Sequence, residues 1–180
     1  KKSALNGKVC LLRLDFNTED NWRMDASLPT IKFLLEHSRS VIILSHKGRP
    51  DGFDSSLSLR PISKILSRKL KKKVIFVPHF RFQEIGNLVK SSPKGSVFVL
   101  ENLRFLDGEM ENSDILAEHL SGLGDIYIND AFAVSHRANA SIAEITKYLP
   151  SYAGLELENE IRQLTLAMKN PKKPLVVVLG

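Results

Sequence analysis

A chain of 180 residues with 43% apolar and 26% charged residues can bury a core of its own, a balance that excludes a disordered polymer. The single cysteine, Cys10, excludes an internal disulfide and reads as a small buried hydrophobe within a strand. A net charge of +6 suits an anionic partner, either nucleic acid or a small phosphorylated metabolite.

The chain opens Lys1-Lys2-Ser3-Ala4-Leu5-Asn6-Gly7-Lys8, without the apolar stretch and cleavage site of a secretory signal. No run reaches the ~20 apolar residues of a membrane-spanning helix, so a cytoplasmic protein without a membrane partner is expected. Strands are predicted at 9–15, 40–45, 74–77, 96–101 and 125–130. Near-continuous apolar runs such as Val41-Ile42-Ile43-Leu44 and Val97-Phe98-Val99-Leu100 mark strands buried on both faces. Helical periods fall between them at 28–37, 60–71, 82–89 and 114–120. Lys69, Lys71, Lys72 and Lys73 close the second of these and read as a solvated helix end that favours the helix dipole. Strict alternation of strand and helix predicts right-handed crossovers. The expected fold is α/β, a Rossmann-like three-layer α/β/α arrangement on a mostly parallel sheet.

Further on, Leu157, Ile161, Leu164 and Met168 are spaced for one face of a helix over 155–169. Asn170-Pro171-Lys172-Lys173-Pro174 stops it. Then Leu175-Val176-Val177-Val178-Leu179-Gly180 reads as a buried strand without a following helix, the expected start of a second domain cut short. Three units are therefore expected: residues 1–154, a connecting helix and hinge at 155–174, and the first strand of a truncated domain at 175–180.

In open parallel sheets, ligands bind beyond the carboxyl ends of the strands, and the unusual polar residues of this chain collect there. Asp15 and Asn17 follow the first strand, with Arg23 in the next loop. His46 and Arg49 follow the second, Arg104 the fourth, and His136 and Arg137 the fifth. Guanidinium groups bind phosphate and carboxylate in a bidentate way, so the set describes a site for a small polyanion. Each residue also has a structural reading: Asp15 and Asn17 could form an Asx turn, either histidine could be a satisfied loop residue, and Asp130 could only position loops. No phosphate-cradling Gly-x-x-x-x-Gly-Lys loop, dinucleotide Gly-x-Gly-x-x-Gly turn, zinc spacing or serine-hydrolase motif is present. An anion site without a nucleophile or base suits phosphoryl transfer, where positioning and charge stabilisation do most of the work.

Arg13-Leu14-Asp15-Phe16-Asn17, Leu28-Pro29-Thr30-Ile31, Ser45-His46-Lys47-Gly48-Arg49-Pro50, Glu101-Asn102-Leu103-Arg104-Phe105, Asn129-Asp130-Ala131-Phe132 and His136-Arg137-Ala138 together resemble phosphoglycerate kinase, in that family's order along nearly the whole chain. The resemblance implies the N-terminal half of a two-domain, monomeric, cytoplasmic kinase. Such an enzyme transfers phosphoryl reversibly between 1,3-bisphosphoglycerate with ADP and 3-phosphoglycerate with ATP. It implies Mg2+ with ATP or ADP bound by the other half, and neither cofactor nor metal ligands in this one. By motif, Asp15 and Asn17 should meet the substrate's hydroxyl and carboxyl end. His46, Arg49, Arg104 and Arg137 should grip its 3-phosphate with His136 in support. Arg23 should serve as the catalytic residue facing the migrating phosphoryl. The 155–169 helix resembles the interdomain helix of that family. Three departures stand out: a short segment between Asn17 and Arg23 with Thr18-Glu19 for the common Val-Pro, Asn139 for a second histidine, and no Gly-Gly-Ala-Lys segment. These residues alone should therefore bind phosphoglycerate weakly and without turnover. The rival readings are a stand-alone module holding a phosphorylated ligand or nucleic acid, and a catalytically inactive relative.

Overall fold

The computed structural model describes residues 2–18, 20–169, 171, 173–174 and 176. Its strands are β1 (Val9–Arg13), β2 (Ser40–Leu44), β3 (Val74–Val77), β4 (Ser96–Leu100), β5 (Ile126–Asn129) and β6 (Ser151–Ala153). They form one sheet in the order β3-β4-β2-β1-β5-β6, and every neighbouring pair is parallel. Its helices are α1 (Trp22–His37), α2 (Arg60–Leu70), α3 (Phe82–Ser91), α4 (Asp114–Ser121) and α5 (Leu155–Lys169).

The period-2 rule for strands divides the apolar residues between two cores. Cys10, Leu12, Val41, Ile43, Val97, Val99, Ile126 and Ile128 face α1 and α2 through Ile31, Leu34, Ile62 and Leu66. The alternate residues Leu11, Ile42, Leu44, Phe98, Leu100 and Tyr127 face α3 and α4 through Ile85, Val89, Leu116 and Leu120. Each such side chain taken from water contributes about 1.5–3 kcal/mol. The crossovers through α1 and α2 step one way along the sheet, and those through α3 and α4 step back on the other face, as a single crossover hand requires. In consequence, β2 and β4 lie side by side while their exit loops leave toward opposite faces. That divergence opens a crevice beyond their carboxyl ends.

The strands and helices predicted before residue 170 are present, with differences at their ends. Strand pairing stops at Arg13, Leu44 and Leu100, so Asp15, Ser45 and Glu101 lie past the ladder and are free for other contacts. Helix α1 begins at Trp22, six residues before the predicted start, and runs through Pro29. Sequence reading stopped at that proline because it removes an amide and normally marks a helix beginning. The earlier start corrects one placement: Arg23 lies in the first turn of α1, not in a loop. Strand β6 was missed because three residues between Pro150 and Gly154 carry too little pattern. In α5, Leu157 is buried while Ile161, Leu164 and Met168 are exposed, so the predicted apolar face has only its first residue covered. The strand predicted at 175–180 lies, Val176 apart, outside the described residues. No helix among the described residues is long and apolar enough to cross a membrane.

Candidate functional site

The loops leaving β1, β2 and β4 are fastened to one another by buried polar residues. The Ser45 hydroxyl accepts from the Phe16 amide at 3.1 Å and donates to the Leu14 carbonyl at 2.8 Å, tying the first two loops. Asn102 spends its whole side chain on this frame. Its Oδ1 accepts from the amides of Lys47 and Arg104, and its Nδ2 donates to the carbonyls of Lys47 and Leu57. Glu101 accepts from Ser58 Oγ and from the amides of Leu59 and Asn102, at 2.7–2.8 Å. Both residues are buried, so their place in the motif is structural: burying such groups is tolerable only when every lone pair and proton is used.

Gly48 sits at the centre of the β2 loop. Its amide donates to Asn17 Oδ1 at 2.7 Å and its carbonyl accepts from Arg104 Nη1. Because the Gly48 amide must face an acceptor, the Asn17 side chain presents Oδ1 to it, and no acceptor engages its Nδ2 among the described residues. Asp15 takes its structural reading and adds an ion pair. Its Oδ1 accepts from the Asn17 amide at 3.0 Å in an Asx turn, and its Oδ2 pairs with Arg23 Nη1. Arg23 also lies over the Trp22 ring, 5.2 Å from its centroid, where a cation–π contact adds to the ion pair. Asp15, Trp22 and Arg23 share a small cleft of about 70 Å³ with Asp130, Phe132, Glu156 and Glu160.

His46 is 1% exposed and its Nδ1 lies 2.9 Å from Arg13 Nη2. Burial, then the charges of Arg13, Arg104, Arg137 and Arg23, push its pKa down to about 2. Arg104 is depressed in turn by burial and by Arg137, Arg13 and Arg49. The structure thus brings Arg23, from the first turn of α1, together with His46 and Arg49 after β2, Arg104 after β4 and Arg137 after β5. Asp15 and Asn17 stand at the edge of this cluster. His136 is exposed and, among the described residues, no hydrogen bond or ion pair ties it to the others. The Asp15–Arg23 pair is the one direct ion pair within the cluster among the described residues. Like charges gathered in a half-buried crevice with so little compensation favour a bound anion.

Three members of this neighbourhood escaped the sequence reading. Arg13 was quoted within a motif but given no role; a charged residue in an otherwise apolar strand run was the signal available. It is 1% exposed, donating to Ser141 Oγ at 3.0 Å and to the Leu14 carbonyl. Glu109 is 0% exposed and accepts from the amide and hydroxyl of Ser141 at 3.0 and 2.6 Å. Burial pushes the Glu109 carboxyl up, opposed by Arg13 and the Ser141 hydrogen bonds. Neither Glu109 nor Ser141 lies in a recognisable pattern. Asp130 takes the structural role it was offered: its Oδ1 accepts from the Leu157 amide at 2.9 Å, satisfying a free donor in the first turn of α5.

Among the described residues, no group of three or more His, Cys, Asp or Glu side chains could hold a metal ion.

A family model described as phosphoglycerate kinase matches residues 1–180. The phosphoglycerate kinase of Wolbachia sp. subsp. Drosophila simulans (strain wRi) is 43% identical over 183 residues, covering 98% of this chain and 46% of the relative. That of Thermosipho africanus (strain TCF52B) is 44% identical over 184 residues, with 98% and 46% covered. Among solved structures, phosphoglycerate kinase from Coxiella burnetii superposes with a TM-score of 0.82 at 36% identity, over 94% of this chain and 44% of that one. The enzyme from Pyrococcus horikoshii OT3 gives 0.85 at 29% identity, over 94% and 45%. The chain spans about half the length of the curated relatives it matches.

Proposed function

Because this chain belongs to the phosphoglycerate kinase family, we propose that it supplies the 3-phosphoglycerate site for reversible phosphoryl transfer between 1,3-bisphosphoglycerate with ADP and 3-phosphoglycerate with ATP. The observation that carries this reading is the convergence of Arg13, Arg23, Arg104 and Arg137 around His46, with Arg49 acting on Arg104, at the carboxyl ends of parallel strands. On this reading Arg49, Arg104, Arg137 and His46 hold the 3-phosphate, with exposed His136 at the periphery. Asn17 offers its Nδ2 to the carboxyl and hydroxyl end. Asp15 orients Arg23, whose remaining N–H groups stabilise charge as it develops on the migrating phosphoryl.

No metal ligand is assigned among the described residues, and no step is routed through the metal. Mg2+ and the nucleotide belong, on this proposal, to the part of the family's length that these residues do not span. The domain reading is likewise a proposal: a substrate domain over 1–154, a connecting helix and hinge over 155–174, and 175–180 as the first strand of a nucleotide domain. The exposed apolar residues Ile161, Leu164 and Met168 support a helix that meets further protein. A cytoplasmic, monomeric enzyme acting on a small molecule completes the proposal, with neither nucleic acid nor membrane as partner.

The test is calorimetric titration of these 180 residues with 3-phosphoglycerate at low salt, beside an Arg49→Ala/Arg104→Ala variant. Saturable binding that the variant loses by roughly a hundredfold, two charge-assisted contacts at ~1.5 kcal/mol each, is the expected result. A folded protein that ignores the ligand, or a variant that binds equally well, would remove the assignment. No turnover of ATP is expected from these residues alone.

A further inference from the structure

Behind the arginine cluster lies a chain of buried polar groups that begins at a donor-only guanidinium. Arginine donates and never accepts. The Arg13 Nε–H therefore donates to Ser141 Oγ at 3.0 Å, and the serine's own proton goes on to Glu109 Oε1 at 2.6 Å. The Ser141 amide donates to Glu109 Oε2 at 3.0 Å. Arg13 and the two Ser141 hydrogen bonds favour the ionised form of Glu109 and oppose the upward push of its burial, so the carboxylate can balance Arg13 from one hydroxyl away. On the other side Arg13 Nη2 donates to His46 Nδ1 at 2.9 Å. That nitrogen must hold the lone pair, which leaves the proton of a neutral imidazole on Nε2. No acceptor engages Nε2 among the described residues.

We propose that Glu109 is a positioning residue which, through Ser141 and Arg13, fixes His46 as the neutral Nε2–H tautomer, so that His46 meets a bound phosphate as a hydrogen-bond donor rather than as a cation. The proposal rests on the reading of the cluster as a phosphate site. The charges facing His46 are Arg13 from β1, Arg23 from α1, Arg104 from the loop after β4 and Arg137 from the loop after β5. All are positive, so an imidazolium there would add repulsion to a site already crowded with cations. A neutral donor adds a directed bond without that cost. Without Glu109, the Ser141 contact of Arg13 Nε loses its terminal acceptor and the Leu14 carbonyl alone is left to aim the fork, so the selection of one ring nitrogen over the other weakens.

The tautomer is read directly by long-range proton–nitrogen NMR on histidine-labelled protein without ligand. His46 is expected to show an unprotonated Nδ1 and a protonated Nε2, unchanged through the range where a free histidine titrates. Glu109→Gln and Ser141→Ala should each average the two nitrogens and weaken binding of inorganic phosphate by roughly tenfold, the size of one charge-assisted contact. Charge alone predicts the reverse for Glu109→Gln, since a lost anion makes the cluster more positive and phosphate binding tighter. A proton on Nδ1 in the wild type, an unchanged tautomer in both variants, or tighter phosphate binding would each overturn the proposal. Should Glu109→Gln not fold, Ser141→Ala removes a single hydroxyl and carries the same test. A tautomer lost in the variants of a protein that never bound phosphate would support the positioning role and overturn the anion-site reading instead.

Discussion

At Gly48 the backbone has a φ of +64°, and an added Cβ would lie 2.8 Å from the Leu57 side chain. Gly48→Ala therefore meets strain twice, and a loss of roughly 1–2 kcal/mol in stability is expected by denaturant melting. Phosphoglycerate affinity should fall with it, since Asn17 and Arg104 both hold this one residue's backbone. His46 has a different signature. Its pKa is about 2 in the folded chain against an ordinary 6.5, so below 6.5 the unfolded chain binds a proton that the folded chain refuses. Stability from this residue is complete above pH 6.5 and declines as pH falls toward 2, by up to about 1.4 kcal/mol per pH unit. In His46→Gln the acid limb of a stability–pH curve should be shallower; an unchanged limb would show that His46 is not held neutral. That histidines and arginines would meet was readable from their places after strands. Which atoms meet was not. The reach of Arg13 to Ser141 spans 128 residues of sequence, and no local pattern encodes such a contact.

The strands were legible because burial on both faces demands unbroken apolar runs, and the short, β-branched run Val41-Ile42-Ile43-Leu44 favours a strand over a buried helix. Helix α1 was legible only in part: Pro29 argues against a helix passing through it, and tertiary packing of Met24, Ile31 and Leu34 outweighs that local cost. For α5, the decisive contact comes from outside the helix. Asp130 accepts from the Leu157 amide, and Gly154 passes so close that a Cβ would collide with the Asp130 carboxylate. Burial holds the Asp130 carboxyl above its ordinary range. Asp130→Ala should cost about 1 kcal/mol, as loss of a helix cap does, and should speed hydrogen exchange at Leu157. Asp130→Asn keeps an acceptor and should retain most of the protection. Equal exchange in both variants would show that the contact does not hold the helix start.

Over the whole molecule, the excess of 26 basic over 20 acidic residues proved less informative than its distribution. Composition left nucleic acid and a small metabolite equally open; the gathering of arginines at one end of one sheet favours the compact ligand. A bound anion that neutralises this cluster stabilises the folded state by mass action, by about 2.7 kcal/mol at a hundredfold excess over Kd. Inorganic phosphate should therefore raise the melting temperature more than chloride at matched ionic strength, and the difference should vanish in Arg49→Ala/Arg104→Ala. The lattice of bonds through Ser45, Glu101 and Asn102 has a thermodynamic consequence of its own. These residues immobilise the loops after β1, β2 and β4 before any ligand arrives, so the conformational entropy of ordering them is lost at folding rather than at association. Ligand binding then needs little rearrangement of backbone and buries little fresh apolar surface. Its heat-capacity change should be small, and its affinity should report charge and hydrogen bonding almost alone.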